Sequence, residues 1–303
     1  QARRKRGFTW FISRHYSPLS LRAMLGNVDA QDQDEGAAVS IVTLRASGLS
    51  EWFDCAARAE AKQLLGKRTP TSGKALLGSA LHKSTAVYDR SVMAGQSITI
   101  DEAAGAAVDA IHKPSEDVRL DDDEKPEELE SIAIALHKLY CTKIAPTQEY
   151  AAVEVACERL EITDLGIALQ GTTDRVRKVA NGHGIADLKS GGSAVRADGH
   201  VETKGHAYQV GVYELLAEKA SGLPITEPGV IVGLQTAKTE KGQRVALSGP
   251  IVGARDVLLG EPDSPGVLET VAKLINNGVF PGNPKSMLCS QKYCPIYPCK
   301  WVK

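Results

Sequence analysis

The hydrophobic pattern changes period near residue 150, and that change limits what the chain can fold into. Before it, apolar residues recur at helical spacing in four stretches: from Ser47 or Ser50 to about Leu65, from Lys74 to Met93, from Asp101 to His112, and from Pro126 to about Ile144. After it, residues 151–160 alternate, with Val153, Val155 and Cys157 set against Glu154, Ala156 and Glu158, as a half-buried strand requires. Two more strands are expected at Ile167–Val176 and Gly184–Lys189, separated by a turn at Asn181-Gly182-His183-Gly184. A helix over about Thr203–Ala220, a strand pair at Gly229–Thr236 and Arg244–Gly249, and a last helix over Val267–Asn277 complete the order. Helices, then strands with a helix crossing between them, imply an α/β (α+β) fold. Its mixed central β-sheet is flanked by helices and carries a helical N-terminal addition.

The hairpin over Asp174–Lys189 concentrates the chemistry. Residues two apart on a strand point to one side, so Asp187 and Lys189 share a face while Leu188 turns into the core. If the hairpin pairs as its turn suggests, Asp174 lies beside them. Two carboxylates and an amine at one place suit a hard divalent cation and an activated water. Taken alone, an Asp-x-Lys triplet is a weak signal and reads equally well as a solvated strand edge.

The 303 residues suffice for a filled core, and 43% hydrophobic with 24% charged residues is ordinary for a globular protein. No apolar run reaches the eighteen or so residues of a membrane span. The basic start Arg3–Arg6 is followed by too short an apolar stretch for a signal peptide. Six cysteines in a chain this long do not make a secreted disulfide framework, so a reducing, cytoplasmic setting is expected. A net charge of -1 gives no global argument for a nucleic-acid partner, which would need a local basic surface. Residues 1–46 read as a poorly specified arm, and the acidic run Asp121-Asp122-Asp123-Glu124 as a solvated loop.

Order and spacing sharpen the hairpin. Gly78-x-x-x-His82 lies on a helix, Glu154 on a strand, and Gly171-x-x-Asp174-Arg175 precedes Asp187-Leu188-Lys189-Ser190; Gln209-x-x-x-Tyr213 follows on a helix. From about Ser47 to Cys299 this array resembles the PD-(D/E)XK nuclease superfamily, and within it the RecB-like branch. That branch includes exonuclease V enzymes, CRISPR-associated exonucleases and phage recombination exonucleases. Thr173 stands where the superfamily name has proline, a change common in that branch. The resemblance implies a restriction-endonuclease-like core in a single domain over 47–303. It divides into a helical part (47–148), a catalytic core (149–250) and a C-terminal helix with a cysteine tail (251–303). It further implies Mg2+ or Mn2+ held by His82, Asp174, Asp187 and the Leu188 carbonyl, with Lys189 orienting or deprotonating water. Gln209 and Tyr213 would brace the site or hold the DNA backbone, while Glu154 reads either as a surface strand residue or as an outer acid.

Cys289, Cys294 and Cys299 fall at four-residue gaps within eleven residues, which favours metal or cluster ligation. Several members of the branch carry a [4Fe–4S] cluster on one cysteine before the nuclease core and three after it, and Cys55 occupies the early position. The spacing departs from the usual two-then-five, so a zinc site or free thiols stay open. Cys141 and Cys157 read as core residues.

The resulting expectation is a metal-dependent DNA exonuclease acting in recombination, repair or phage DNA processing. Phosphate contacts are expected from Arg175, Arg177, Lys178, Lys204, Lys238 and Arg244. The alternative is a catalytically silent nucleic-acid-binding or scaffold protein of the same fold. DNA is the expected partner, with a membrane excluded; a homo-oligomer or a recombination or CRISPR partner protein is left open.

Overall fold

The structure is a computed structural model that describes residues 41–302. The basic start and most of the arm lie outside the described residues. Strand β1 (Val42–Arg45) is followed by two short helices, α1 (Glu51–Asp54) and α2 (Ala56–Gln63). Three longer helices follow: α3 (Gly73–Met93), α4 (Ile100–His112) and α5 (Pro126–Lys143). Then come β2 (Tyr150–Ile162), β3 (Ile167–Val179), β4 (Gly182–Gly191), α6 (Ala207–Ser221), β5 (Val230–Gln235) and β6 (Arg244–Leu247). Helices α7 (Ala254–Leu259) and α8 (Val267–Asn276) close the described chain ahead of the cysteine tail.

Local chemistry accounts for the helix starts. The Ser72 side chain accepts from Ala75 N at the head of α3. Thr99 and Glu102 form a reciprocal capping box on α4, and Pro126 occupies the first turn of α5, where its missing N–H leaves no bond unmade.

The main sheet runs β1-β3-β4-β5-β6, with β2 on the far edge of β3. β1 and β3 are parallel, as are β4 and β5, while β2–β3, β3–β4 and β5–β6 are antiparallel. This is the mixed sheet the sequence implies. β1 and β4 share one edge of β3: β1 pairs with Ile167–Gln170 and β4 with Arg175–Val179. Between them, residues 171–174 have no ladder partner on that edge, so the sheet forks there.

Both faces are covered, as a sheet containing parallel strands requires. One face packs Ile185, Val176, Leu169 and Leu44 against Val210, Leu216, Leu258 and Val271 of α6, α7 and α8. The other packs Ala186, Leu188 and Val232 against Leu77, Leu81, Ala110 and Leu136 of α3, α4 and α5. Leu188 is buried between its acid and amine neighbours, as its alternation demands.

Several expectations need correction. Val42–Arg45, assigned to the arm, is a sheet strand. The first expected helix is broken at Cys55, whose backbone is extended (φ -155°, ψ 95°) between α1 and α2. The hairpin turns at Ala180-Asn181, with Gly182 already paired to Val179. Helix α6 begins at Ala207, which places His206 at its N-cap, and α7 was not anticipated.

Candidate active site

The fork brings three acids into one row. Val153 pairs with Arg175 and Val155 with Thr173, so Glu154 stands across from Asp174. On the other edge Arg175 pairs with Ala186, and the next position across from Asp174 is Asp187. The ladder stops there, and the Asp174 carboxylate takes the place of a backbone partner: its Oδ2 accepts from Leu188 N at 2.8 Å. In an extended strand a residue's N–H and C=O leave by the same edge, so the Leu188 carbonyl also opens into the fork.

Helix α3 closes the fork from one side. His82 Nδ1 lies 3.1 Å from Asp174 Oδ1. Gly78, one turn earlier, permits the approach, since a Cβ there would stand 2.9 Å from Ser190 Oγ of β4. Ligand atoms of His82, Glu154 and Asp174 all lie within 4.8 Å of one another, a spacing that a single cation can bridge. Among the described residues Glu154 is the one non-glycine residue with positive φ, at 53°. Left-handed backbone costs an ordinary residue roughly 1–2 kcal/mol, and it sits where the acid must join the group.

The electrostatics separate the two hairpin acids. Asp187 is almost fully buried; that burial, reinforced by Asp174 and opposed by Lys189, pushes its carboxyl up to about 6. Asp174 is also buried, but His82, the Leu188 N–H and Lys189 outweigh the burial and hold it down at about 2. Burial disfavours a charged His82, yet Asp174 prevails and raises it. Lys189 Nζ lies 2.5 Å from Asp187 Oδ2, though that buried oxygen has no aligned hydrogen bond. Its amine reaches the mouth of the fork, with 29% of the side chain exposed.

From the opposite face α6 contributes Gln209 and Tyr213, whose side chains are joined at 2.8 Å from Nε2 to the hydroxyl. Burial, with Asp187 and Asp174 nearby, raises Tyr213. His206 lies near Lys189, and its pKa is lowered by burial first and by that amine second. The structure thus brings His82, Asp174, Asp187, Leu188, Lys189, Gln209 and Tyr213 to one end of β4, and moves Glu154 from an outer position into the inner set.

Behind the acids lies a polar network that the sequence reading missed. Arg175 is fully buried: Nε donates to Asp89 Oδ2 at 2.6 Å, Nη1 to the Asp174 carbonyl at 2.8 Å and Nη2 to Thr85 Oγ1 at 3.1 Å. The Tyr140 hydroxyl donates to the same Asp89 oxygen at 2.7 Å and lies 3.1 Å from the Tyr150 hydroxyl. Arg175 is therefore not a surface phosphate contact. The sequence signal was present: Asp89 lies seven residues after His82, on the same face of α3. Of the other expected contacts, half-buried Arg177 donates to the Pro228 carbonyl and Lys178 pairs with Glu149; Lys238 pairs with Asp123 and Glu128. Arg244 is half-buried and Lys204 is exposed.

A groove of about 450 Å³ passes over His82 and Glu154, bordered by the exposed Lys83. Through Ala75 and Gly78 it adjoins a second hollow of about 340 Å³ that ends against Lys292 and Tyr293 of the tail.

That tail is docked on the break at Cys55. Asn283 N donates to Cys55 Sγ at 3.4 Å, Pro281 O accepts from Ala57 N, and the Trp52 and Phe280 rings pack 5.9 Å apart. Buried Arg58 ties Asp54 to Ser286. All six cysteines are unpaired by disulfides, and Cys289 lies close enough to Cys294, Cys299 and Cys55 for each to raise its pKa, after its own burial. Cys141 and Cys157 are core residues, as expected.

A family model of the PD-(D/E)XK nuclease superfamily matches residues 43–299. The chain belongs to that superfamily. No curated protein matches it significantly. The match takes in all but the first residue of β1, the forked sheet and the three tail cysteines; it suggests a nuclease-type function, and nucleases of this superfamily typically use divalent metals, for which His82, Glu154 and Asp174 form a possible site. No helix among the described residues is long and apolar enough to cross a membrane.

Proposed function

We propose that this PD-(D/E)XK protein is a metal-dependent DNA exonuclease of the RecB-like type, acting in recombination, repair or phage DNA processing. The observation that carries the reading is the row Glu154–Asp174–Asp187 at the sheet fork, with His82 on one side and Lys189 at the mouth. The clustered donors of His82, Glu154 and Asp174 suit Mg2+ or Mn2+, two hard carboxylates with an imidazole that makes Mn2+ acceptable; Asp187, the next acid in the row though outside that cluster, and the Leu188 carbonyl would complete the shell. The ion would supply charge neutralisation at the phosphorus and a more acidic water.

The chain's own residues do the rest. Asp174, fixed by Leu188 N–H and His82, stays ionised and cannot rotate away. Lys189 would hold the attacking water by hydrogen bond at the mouth and orient it toward the phosphorus. Tyr213, locked by Gln209, walls the Asp187 side and offers its hydroxyl toward a phosphate oxygen. Lys83 and Lys74, exposed along the groove, add phosphate contacts that replace the buried Arg175 in that role.

The cysteine tail is proposed to hold a [4Fe–4S] cluster on Cys55, Cys289, Cys294 and Cys299. The support is that all four thiols are free of disulfides and that Cys289 lies near Cys55, Cys294 and Cys299. The cluster would staple the tail to the α1–α2 break. A partner protein or a second copy of the chain, and a cytoplasmic site of action, belong to the same proposal.

The test is degradation of end-labelled linear DNA beside closed circular DNA, with Mg2+ or Mn2+, compared with Lys189→Ala. Loss of linear DNA only with metal, and only with Lys189 in place, supports the exonuclease. Binding without turnover in both proteins would instead establish a silent DNA-binding member of the superfamily.

A further inference from the structure

The acidic run Asp121–Glu124 is a solvent-facing loop, as expected, and has no place in the chemistry above, but two of its carboxylates are paired with lysines. Asp121 Oδ2 pairs with Lys292 Nζ, and Asp123 Oδ2 lies 3.4 Å from Lys238 Nζ. Of the two lysines, Lys292 stands in the hollow next to the active-site groove. Asp121 lies in the same hollow, between Lys74 and Lys292, with Ser190 at its inner end and the exposed ring of Tyr293 at its rim. The donor bond from Lys292 chiefly, with Lys74 and Arg119 nearby, holds the Asp121 carboxyl below the usual carboxylate range. An oxyanion is thus already seated among three cations, and it is supplied by the chain itself.

The hollow lies in line with the active site. Lys74 and His82 are eight residues apart on α3, or roughly 12 Å along its axis. The two cavities meet at Ala75 and Gly78, and Ser190 directly follows Lys189. A nucleic-acid strand with one phosphate at the fork and running along α3 would place a later phosphate where the Asp121 carboxylate now sits. Tyr293 would then present its face to a base, a contact indifferent to sequence.

We propose that Lys74 and Lys292 form a backbone-phosphate subsite for the substrate strand, occupied in the free protein by the Asp121 carboxylate, which the strand displaces. This rests on the nuclease reading and extends it. The exchange is nearly balanced, because a half-exposed ion pair contributes little and is screened by salt. The acidic loop would then lower affinity for weakly held strands without blocking a strand anchored at the metal. Because Lys292 sits between Cys289 and Cys294, the subsite exists only while the tail is docked.

The test uses the full chain in EDTA and a fluorescein-labelled single-stranded oligodeoxynucleotide, with binding followed by anisotropy at several salt concentrations. Asp121→Asn is expected to bind at least threefold more tightly. Lys292→Gln and Lys74→Gln are expected to bind more weakly, each lowering the salt slope by about one. Adding Lys292→Gln to Asp121→Asn should abolish the gain, and circular dichroism confirms that each variant is folded. Unchanged or weaker binding by Asp121→Asn, or an unaltered slope in both lysine variants, overturns the subsite. Cleavage of the same strand by wild type with Mn2+ separates the two ideas. If cleavage persists while the variants do nothing, the subsite fails alone; if wild type neither binds nor cleaves, both readings fail.

Discussion

Arg175 Nε lies 2.6 Å from Asp89 Oδ2, and neither side chain has meaningful solvent contact. The pair joins β3 to α3 directly behind the candidate metal site: Arg175 follows Asp174 in sequence, and Asp89 follows His82 by about two turns of helix. Removing one partner strands a buried charge, so Asp89→Ala should destabilise the fold by about 3–5 kcal/mol. Replacing both, as Asp89→Leu with Arg175→Met, leaves no orphan charge and should be the milder change. Urea denaturation of the three proteins measures this. A single variant no less stable than the double would show that the pair does not hold the helix to the strand.

Asp187 gives a pH dependence whose sign can be worked out. Its carboxyl is raised from the ordinary 3.8 to about 6, chiefly by burial, so the folded protein binds this proton more tightly than the unfolded chain does. The stability it contributes is fully present below pH 3.8 and is lost as pH rises through 6. Metal-free Asp187→Asn should therefore be more stable than wild type above pH 6, by about 1–3 kcal/mol. That advantage should vanish at acid pH, and saturating Mn2+ should reverse it, because only the wild type gains from the ion. Thermal melts at pH 5 and pH 8, with EDTA and with Mn2+, test it. An advantage for the variant that is independent of pH would remove the titration of Asp187 as its cause.

The pattern of alternation in 151–160 and the Asp-x-Lys hairpin made the sheet and its acids legible before any coordinates. Leu188 in the core, Asp187 and Lys189 together, and Gln209 beside Tyr213 all follow from periods of 2 and 3.6. What stayed illegible depends on long-range pairing. β1 is four residues long and pairs with a strand more than a hundred residues away, so its four-residue pattern carries no information about its partner. Cys55 breaks a segment whose local pattern is helical, where Asn283 from the far end of the described chain donates to the Cys55 thiol and the Asp54 carbonyl. Arg175 next to an acid reads as a surface charge, and only the packing of α3 on β3 shows that it is sealed against Asp89. Glu154 read as a surface or outer acid because only the pairing of its strand with Asp174's strand shows that the two acids face each other across the ladder.

That backbone at Glu154 yields a prediction of opposite signs for stability and binding. Glycine adopts φ 53° without the steric penalty of a Cβ, roughly 1–2 kcal/mol, but loses more freedom on folding, roughly 0.5–1 kcal/mol. Glu154→Gly should leave metal-free stability unchanged or up to about 1.5 kcal/mol higher. Mn2+ affinity, read by calorimetry, should fall at least tenfold, because one of three clustered ligand groups is gone. Glu154→Ala should lose the same affinity and keep the strain. If Mn2+ binds both variants as tightly as wild type, Glu154 belongs to the strand and not to the metal.

The four thiols near the α1–α2 break make the last prediction. If Cys55, Cys289, Cys294 and Cys299 hold a [4Fe–4S] cluster, protein purified without oxygen should be brown, with about four irons and four sulfides per chain. Cys289→Ser or Cys299→Ser should bleach it. Because Asn283, Pro281 and Phe280 also dock on the break, the tail should loosen rather than unfold the domain. Limited proteolysis should then cut after about residue 283 while the main sheet stays protected. Stoichiometric zinc in place of iron would keep the staple and change its metal. Protein with no bound metal, and a tail as protected in the cysteine variants as in wild type, would show that the non-covalent contacts of Asn283 and Trp52 hold the tail unaided.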